Sequence, residues 1–83
     1  MSTPLLVDAA AAGLAALGNA TRLRLFRLLV RAGESGANLT DLGRLTNTPA
    51  STLAHHLAAL SRAGLVRQER RGREVICTAA YEQ

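Results

Sequence analysis

The 83-residue sequence predicts a mainly α domain with a small β-hairpin, and three observations carry that prediction. Hydrophobic residues make up 48% of the chain, yet there is one Phe, one Tyr and no Trp, so the core must be built from Leu, Val and Ala, which favours close helix packing. The stretch Asn47–Val66 has helical periodicity: at about 100° per residue, Leu53, Leu57 and Leu60 fall on one line, and Ser51, His55, Ala58 and Arg62 fall opposite it. After Gly64 the period changes, and apolar and β-branched residues flank Arg70-Arg71-Gly72-Arg73 as two strands flank a turn. A chain of this length is expected to form one domain, residues 1–83, with a small core.

A first helix is expected from about Pro4 to Leu17, with Pro at the first helical position and Thr3 as its cap. The run from Ala9 to Ala12, followed by Leu14, Ala15, Ala16 and Leu17, leaves almost no polar face. A helix that is apolar all round needs cover from more than one side, and so short a chain has little material to supply it. A second subunit is the expected cover, with residues 1–17 as the dimerisation helix and Leu6, Ala10, Leu14 and Leu17 in the interface; tolerably exposed alanines are the alternative.

Gly18 and Asn19 end this helix and cap the next, in which Leu23, Phe26 and Val30 occupy one arc and Leu25, Leu28 and Leu29 an adjoining one. That makes it the central beam of the fold, and its polar stripe of Arg24, Arg27 and Arg31 reads as a solvated face. Gly33, Ser35 and Gly36 form a turn. Asn38 and Asp41 then sit three apart like a capping box, opening a short helix with Leu39, Leu42 and Leu45 inward. Thr46-Asn47-Thr48-Pro49 interrupts it. The following helix is capped either by Thr48, with Pro49 at its first position, or by Ser51. Helix, tight turn and longer helix over residues 38–64 is the helix-turn-helix arrangement. Gly64 stops the second helix as a left-handed terminal residue does. The strands Leu65–Glu69 and Glu74–Ala79 then make a hairpin over residues 65–79, its tip carrying a turn glycine and three guanidinium groups. A basic hairpin just after such a helix is a wing, and the whole is a winged helix-turn-helix.

All ten basic residues are Arg, against six acids, giving a net charge of +4 and a pI near 11.1. That balance suits polyanion binding, and acidic partners fit it too. The helix edge of Ser51, His55, Ala58 and Arg62 carries a hydroxyl, an imidazole, a methyl and a guanidinium with nothing bulky, which suits close approach to base edges in a DNA groove. His55 is a candidate base or phosphate contact. His56 borders the leucine line and reads as a packing residue with its ring nitrogen satisfied locally. Being adjacent, the two rings diverge by about 100° and cannot chelate one ion as an i, i+4 pair can. No metal and no cofactor are expected. Cys77, the single cysteine, closes no internal disulfide, and beside Val75 and Ile76 it reads as a small hydrophobe. The acids Asp8, Glu34, Asp41, Glu69, Glu74 and Glu82 are scattered over termini, turns, caps and strands, and no GxSxG or phosphate-cradling glycine loop is present. An enzyme is not expected. No apolar run approaches the ~18 residues of a membrane span, and no basic segment precedes an apolar core as in a signal peptide, so a cytoplasmic protein is expected.

Four segments, in this order and spacing, resemble the ArsR/SmtB type of bacterial winged helix-turn-helix repressor: Leu17–Leu29 (LGNATRLRLFRLL), Pro49–Leu57 (PASTLAHHL), Arg62–Val66 (RAGLV) and Arg70–Ile76 (RRGREVI). They span about Leu14 to Thr78. The resemblance implies a homodimeric repressor that binds a palindromic operator in double-stranded DNA and is released by a metal, a metalloid or another inducer. Carried over residue by residue, the family's base-reading positions fall on Ser51, Thr52, Ala54 and His55, and its wing positions on Arg70 to Arg73. With Thr48 and Arg62, these complete the expected DNA-binding set. Where some members carry a cysteine pair, this sequence has Asn38-Leu39-Thr40-Asp41-Leu42-Gly43. Others carry their ligands on a last helix beyond the wing, which also shares the dimer interface, and here the sequence reads Ala80-Tyr81-Glu82-Gln83. The inducer is thus unspecified. Two alternatives stand beside this reading: a winged-helix protein-interaction module with weak or no DNA binding, and a repressor responding to arsenite or oxidants through Cys77.

Overall fold

The computed structural model describes the backbone of residues 3–80 and the side chains of residues 10–80. The chain runs α1 (Thr3–Leu17), α2 (Ala20–Ala32), a 3-10 turn (Gly33–Ser35), β1 (Ala37–Asn38), α3 (Leu39–Thr46), α4 (Ala50–Arg62), β2 (Val66–Arg71) and β3 (Glu74–Ala79). The strands form one antiparallel sheet in the order β1-β3-β2. α2 is the beam the sequence foretold: it packs against α1, α3, α4 and β3. Its N-terminus is fixed by Asn19, whose side-chain oxygen accepts the Arg22 N–H at 3.1 Å.

The core is leucine, as the shortage of aromatics requires. Leu25 and Leu29 from α2, Leu42 from α3, and Leu57 and Leu60 from α4 are wholly buried, with Leu53, Ala16, Val66 and Cys77 closing the cluster. Each buried leucine contributes about 1.5–3 kcal/mol of hydrophobic free energy, so α2 and α4 dominate what holds the fold together. Over the described residues no helix is long and apolar enough to cross a membrane.

Several local expectations need correction. α1 begins at Thr3 rather than Pro4, and Leu6 and any cap before Thr3 lie outside the described side chains. Asn38 does cap α3, accepting the Asp41 N–H at 2.7 Å, but only half of the capping box forms, because the Asp41 carboxylate turns to Arg44 at 2.9 Å. Leu45 points outward, 59% exposed. Steps of three residues fall about 60° short of a full turn, so Leu39 and Leu42 reach the core and Leu45 drifts off it. β1 was not foreseen at all, being two residues long and including the cap: Ala37 and Asn38 pair with Cys77 and Ile76. Gly36 permits that pairing, since its φ is +67° and a Cβ there would collide with the Cys77 carbonyl and lie 2.7 Å from Thr78 Cγ2. Finally, β2 extends to Arg71, which pairs with Glu74, and the turn is only Gly72-Arg73 with Gly72 at φ +61°. Arg70 and Arg71 therefore belong to the strand rather than to the tip.

Candidate nucleic-acid interface

The turn between α3 and α4 is built from its backbone outward. Asn47 takes the left-handed conformation (φ 51°, ψ 47°), its N–H reaching the Arg44 carbonyl, while the Thr48 N–H bonds the Gly43 carbonyl at 2.9 Å. These two bonds are a Schellman ending, with Asn in the place usually taken by Gly. A Cβ on Gly43 would come 3.2 Å from the Thr48 carbonyl oxygen, so a small residue there lets the turn close tightly on α3.

Neither candidate cap serves α4. The Thr48 hydroxyl donates to the Thr46 carbonyl at 3.1 Å, Ser51 already lies inside the helix, and Pro49 occupies the cap position with no side-chain hydrogen bond. The amides of the first turn of α4 are thus left without a capping side chain, at the positive end of the helix dipole. Such an end suits an anion.

Along α4 the two edges separate as the sequence predicted. Leu53, His56, Leu57 and Leu60 are buried, and Ser51, Thr52, Ala54, His55 and Arg62 are exposed. Ala58 is the exception, half-buried rather than open. The hydroxyls of Ser51 and Thr52 have no hydrogen-bond partner among the described residues, so both are open to a ligand, while the His55 ring lies 5.7 Å from that of His56. A crevice of about 370 Å³ opens between α3 and α4, with Thr40 and Arg44 on one wall and Ala50 and Ala54 on the other. Thr40 and Arg44 were missed in the sequence; their i, i+4 spacing on the side of α3 away from Leu42 was the available signal.

The far end of α4 places the wing. Bonds from the Gly64 N–H to the Ser61 carbonyl (3.0 Å) and from the Leu65 N–H to the Leu60 carbonyl (2.9 Å) turn the chain straight into β2, and Gln68 Nε2 donates to Ser61 Oγ at 3.3 Å. Strand alternation puts Arg70 on the same sheet face as Val66 and Gln68, the face toward α4. Arg71 lies on the opposite face, paired with Glu69 at 3.0 Å, while Arg73 occupies the turn. The wing arginines are all exposed, but the structure splits them: Arg70 and Arg73 have no acidic partner among the described residues, and Arg71 has one.

His56 is buried, as expected, but its partner is remote: Nδ1 accepts the N–H of Arg22 Nε at 3.1 Å. Burial first, then Arg22, then His55 hold this imidazole below its ordinary pKa of 6.5, so the ring is neutral. No motif joins two residues 34 positions apart, and sequence reasoning missed Arg22. Cys77 is wholly buried, and burial pushes its thiol up to about 11. Among the described residues no three His, Cys, Asp or Glu side chains gather as a metal site. On α1, Ala10 is open, Leu14 is 72% exposed, and Leu17 is half-buried against the core.

A helix-turn-helix domain family model matches residues 17–69, from the end of α1 into β2. No curated protein matches the chain by sequence. Among solved structures, the homodimeric winged helix-turn-helix DNA-binding domain of Mb0332 from Mycobacterium bovis, a possible ArsR-family transcriptional regulator, is 26% identical and superposes with a TM-score of 0.85 over 96% of this chain and 71% of that one. Reduced HlyU from Vibrio cholerae is 25% identical, with a TM-score of 0.83 over 96% and 81% of the two chains. The transcriptional regulator HlyU from Vibrio vulnificus is 26% identical, with a TM-score of 0.78 over 98% and 81%. Family match, sheet order and helix-turn-helix geometry agree: the chain belongs to the helix-turn-helix domain family and has the winged fold of DNA-binding transcription regulators, similar to a possible ArsR-family member.

Proposed function

We propose that the protein is a homodimeric repressor that reads a palindromic operator in double-stranded DNA with α4 and occludes the promoter it covers. The observation that carries this reading is the exposed edge of Ser51, Thr52, Ala54 and His55, whose two hydroxyls have no hydrogen-bond partner among the described residues, at a helix start without a side-chain cap. In the major groove, the hydroxyls and imidazole meet base edges, the Ala54 methyl suits a thymine methyl, and the first-turn amides face a phosphate. Thr48 and Arg62 flank the groove, and Arg70 and Arg73 lie along the backbone or the adjacent minor groove. A cytoplasmic location goes with that role.

Dimerisation is supported by the bare Leu14 on α1 and by the homodimeric state of the M. bovis domain. Two-fold symmetry then sets half-sites about 34–36 Å apart, one turn of DNA. An inducer acting through Cys77 finds no support in a buried thiol that stays protonated at neutral pH.

Selection of bound duplexes from a random pool, with sedimentation of the free protein, tests the proposal. A palindrome with half-sites one turn apart and a dimer mass are expected. No enriched sequence, or a monomer at high concentration, contradicts it.

A further inference from the structure

The contact between α2 and α4 contains one polar link that DNA reading does not directly use. His56 is the single buried polar side chain among the described residues, 9% exposed, and it accepts its hydrogen bond from Arg22. Arg22 is itself anchored, because its backbone N–H is held by the Asn19 cap; its side chain therefore leaves from a fixed turn of α2. The other buried residues of these two helices are leucines.

Apolar burial is non-directional. Leucines ensure that α4 packs on α2, but they set its roll about its own axis less sharply than a hydrogen bond with a preferred angle does. Side-chain tips on a helix lie ~5–6 Å from its axis, so a roll of about 10° moves them by ~1 Å. That is enough to break a hydrogen bond to a base edge, whose useful range is about 2.7–3.2 Å. Long arginines on the wing absorb the same shift.

We propose that Arg22 is a positioning residue for operator reading: through its hydrogen bond to His56 it sets the roll of α4, and protonation of His56 releases that setting. The inference rests on α4 being the reading helix. With Nδ1 accepting, the neutral ring carries its hydrogen on Nε2. An imidazolium has N–H on both nitrogens, cannot accept from Arg22, and faces the guanidinium as a like charge. Arg22 from α2 and His55 on α4 are the charged or titratable groups that act on His56; residues 10–17 of α1 carry no charge, Asp41 and Arg44 on α3 pair with each other, and no charge on β2 adds to these. Well above the ordinary value of 6.5 the ring is neutral in folded and unfolded chains alike and the link is whole. As pH falls from there through the lowered folded value, the unfolded chain takes up the proton first, and the link and the stability it contributes are lost together.

The test has two arms. Imidazole nitrogen resonances of the free protein, followed from about pH 8 to about pH 5, should show His56 Nδ1 unprotonated at neutral pH and titrating below its ordinary value. In Arg22→Met the titration should move back toward that value. In the second arm, affinity for a selected operator and for random duplex is measured over the same range, with thermal melts to confirm folding. Arg22→Met should lower operator preference about tenfold, the factor one lost hydrogen bond carries, with random-duplex affinity unchanged. In a His55→Gln background, which takes the neighbouring imidazole off the reading edge, His56→Gln, which still accepts a hydrogen bond but does not titrate, should keep the parent's preference and lose its acid sensitivity. The proposal is overturned if Arg22→Met leaves the His56 titration unchanged, if folded Arg22→Met keeps full operator preference, or if His56→Gln in the His55→Gln background loses preference in acid as its parent does. Because the first arm uses no DNA, it judges the link even if α4 proves not to read bases.

Discussion

α1 and α4 are built largely from alanine and leucine, yet they end in opposite situations. α4 buries Leu53, His56, Leu57 and Leu60 along one side and keeps small polar groups on the other. α1, over residues 10–17, buries only Ala16 and leaves Leu14 bare. The difference lies in spacing. In α4 the leucines recur at intervals that return to one line, so a single chain can cover them; in the sequence of α1 apolar residues occur all round, and over residues 10–17 the chain covers only the side of Ala16. Composition makes both segments helices, but spacing decides which of them is finished by its own chain.

The sharpest way to break this comparison is to charge the uncovered side. Leu14→Glu should convert dimers to monomers in sedimentation, since an unpaired charge in an interface costs on the order of 3–5 kcal/mol; a mutant that remains dimeric removes α1 from the interface. Leu57→Ala is the counterpart on the finished helix. Cutting away a wholly buried leucine should lower unfolding free energy by about 2–5 kcal/mol in urea titrations, and a loss well under that range would mean that α4 is less firmly seated than its burial implies.

The sheet offers the same contrast on a smaller scale, between an open arginine and a buried cysteine. Arg73→Ala should weaken binding to operator and random duplex alike and reduce the salt slope by about one unit. Arg71→Ala should do less, because Arg71 is already engaged by Glu69; equal effects would put both on the phosphates. Cys77→Ala should cost about 1 kcal/mol of stability and leave the response to arsenite or thiol oxidants as it is in wild type. A wild-type response that the mutant lacks would make the buried thiol a sensor.

Much of this was legible in the sequence because it depends on local rules. The Asn19 and Asn38 caps, the Gly64 stop and the two edges of α4 follow from residue type and helical period. What escaped depends on tertiary context. β1 is too short for a periodic signal, and the glycine that permits it answers to a strand about forty residues away. The Arg22–His56 bond joins two helices with no motif to announce it. The arginines at the hairpin looked like one cluster, and only the register, Arg70 with Val75 and Arg71 with Glu74, divides them between faces. Ala58 lies opposite the leucine line yet is half-buried, so Ala54, which is open, is the better place to add bulk against the groove.

The central claim is that the edge of α4 reads bases. It is tested most directly by comparing operator and random-duplex affinity for wild type, Ser51→Ala and His55→Ala at one salt concentration. The expected result is a loss of operator preference of about 1–3 kcal/mol for each lost base contact, with random-duplex affinity nearly constant. Two folded mutants that select the operator as well as wild type would contradict the account and place the reading head elsewhere.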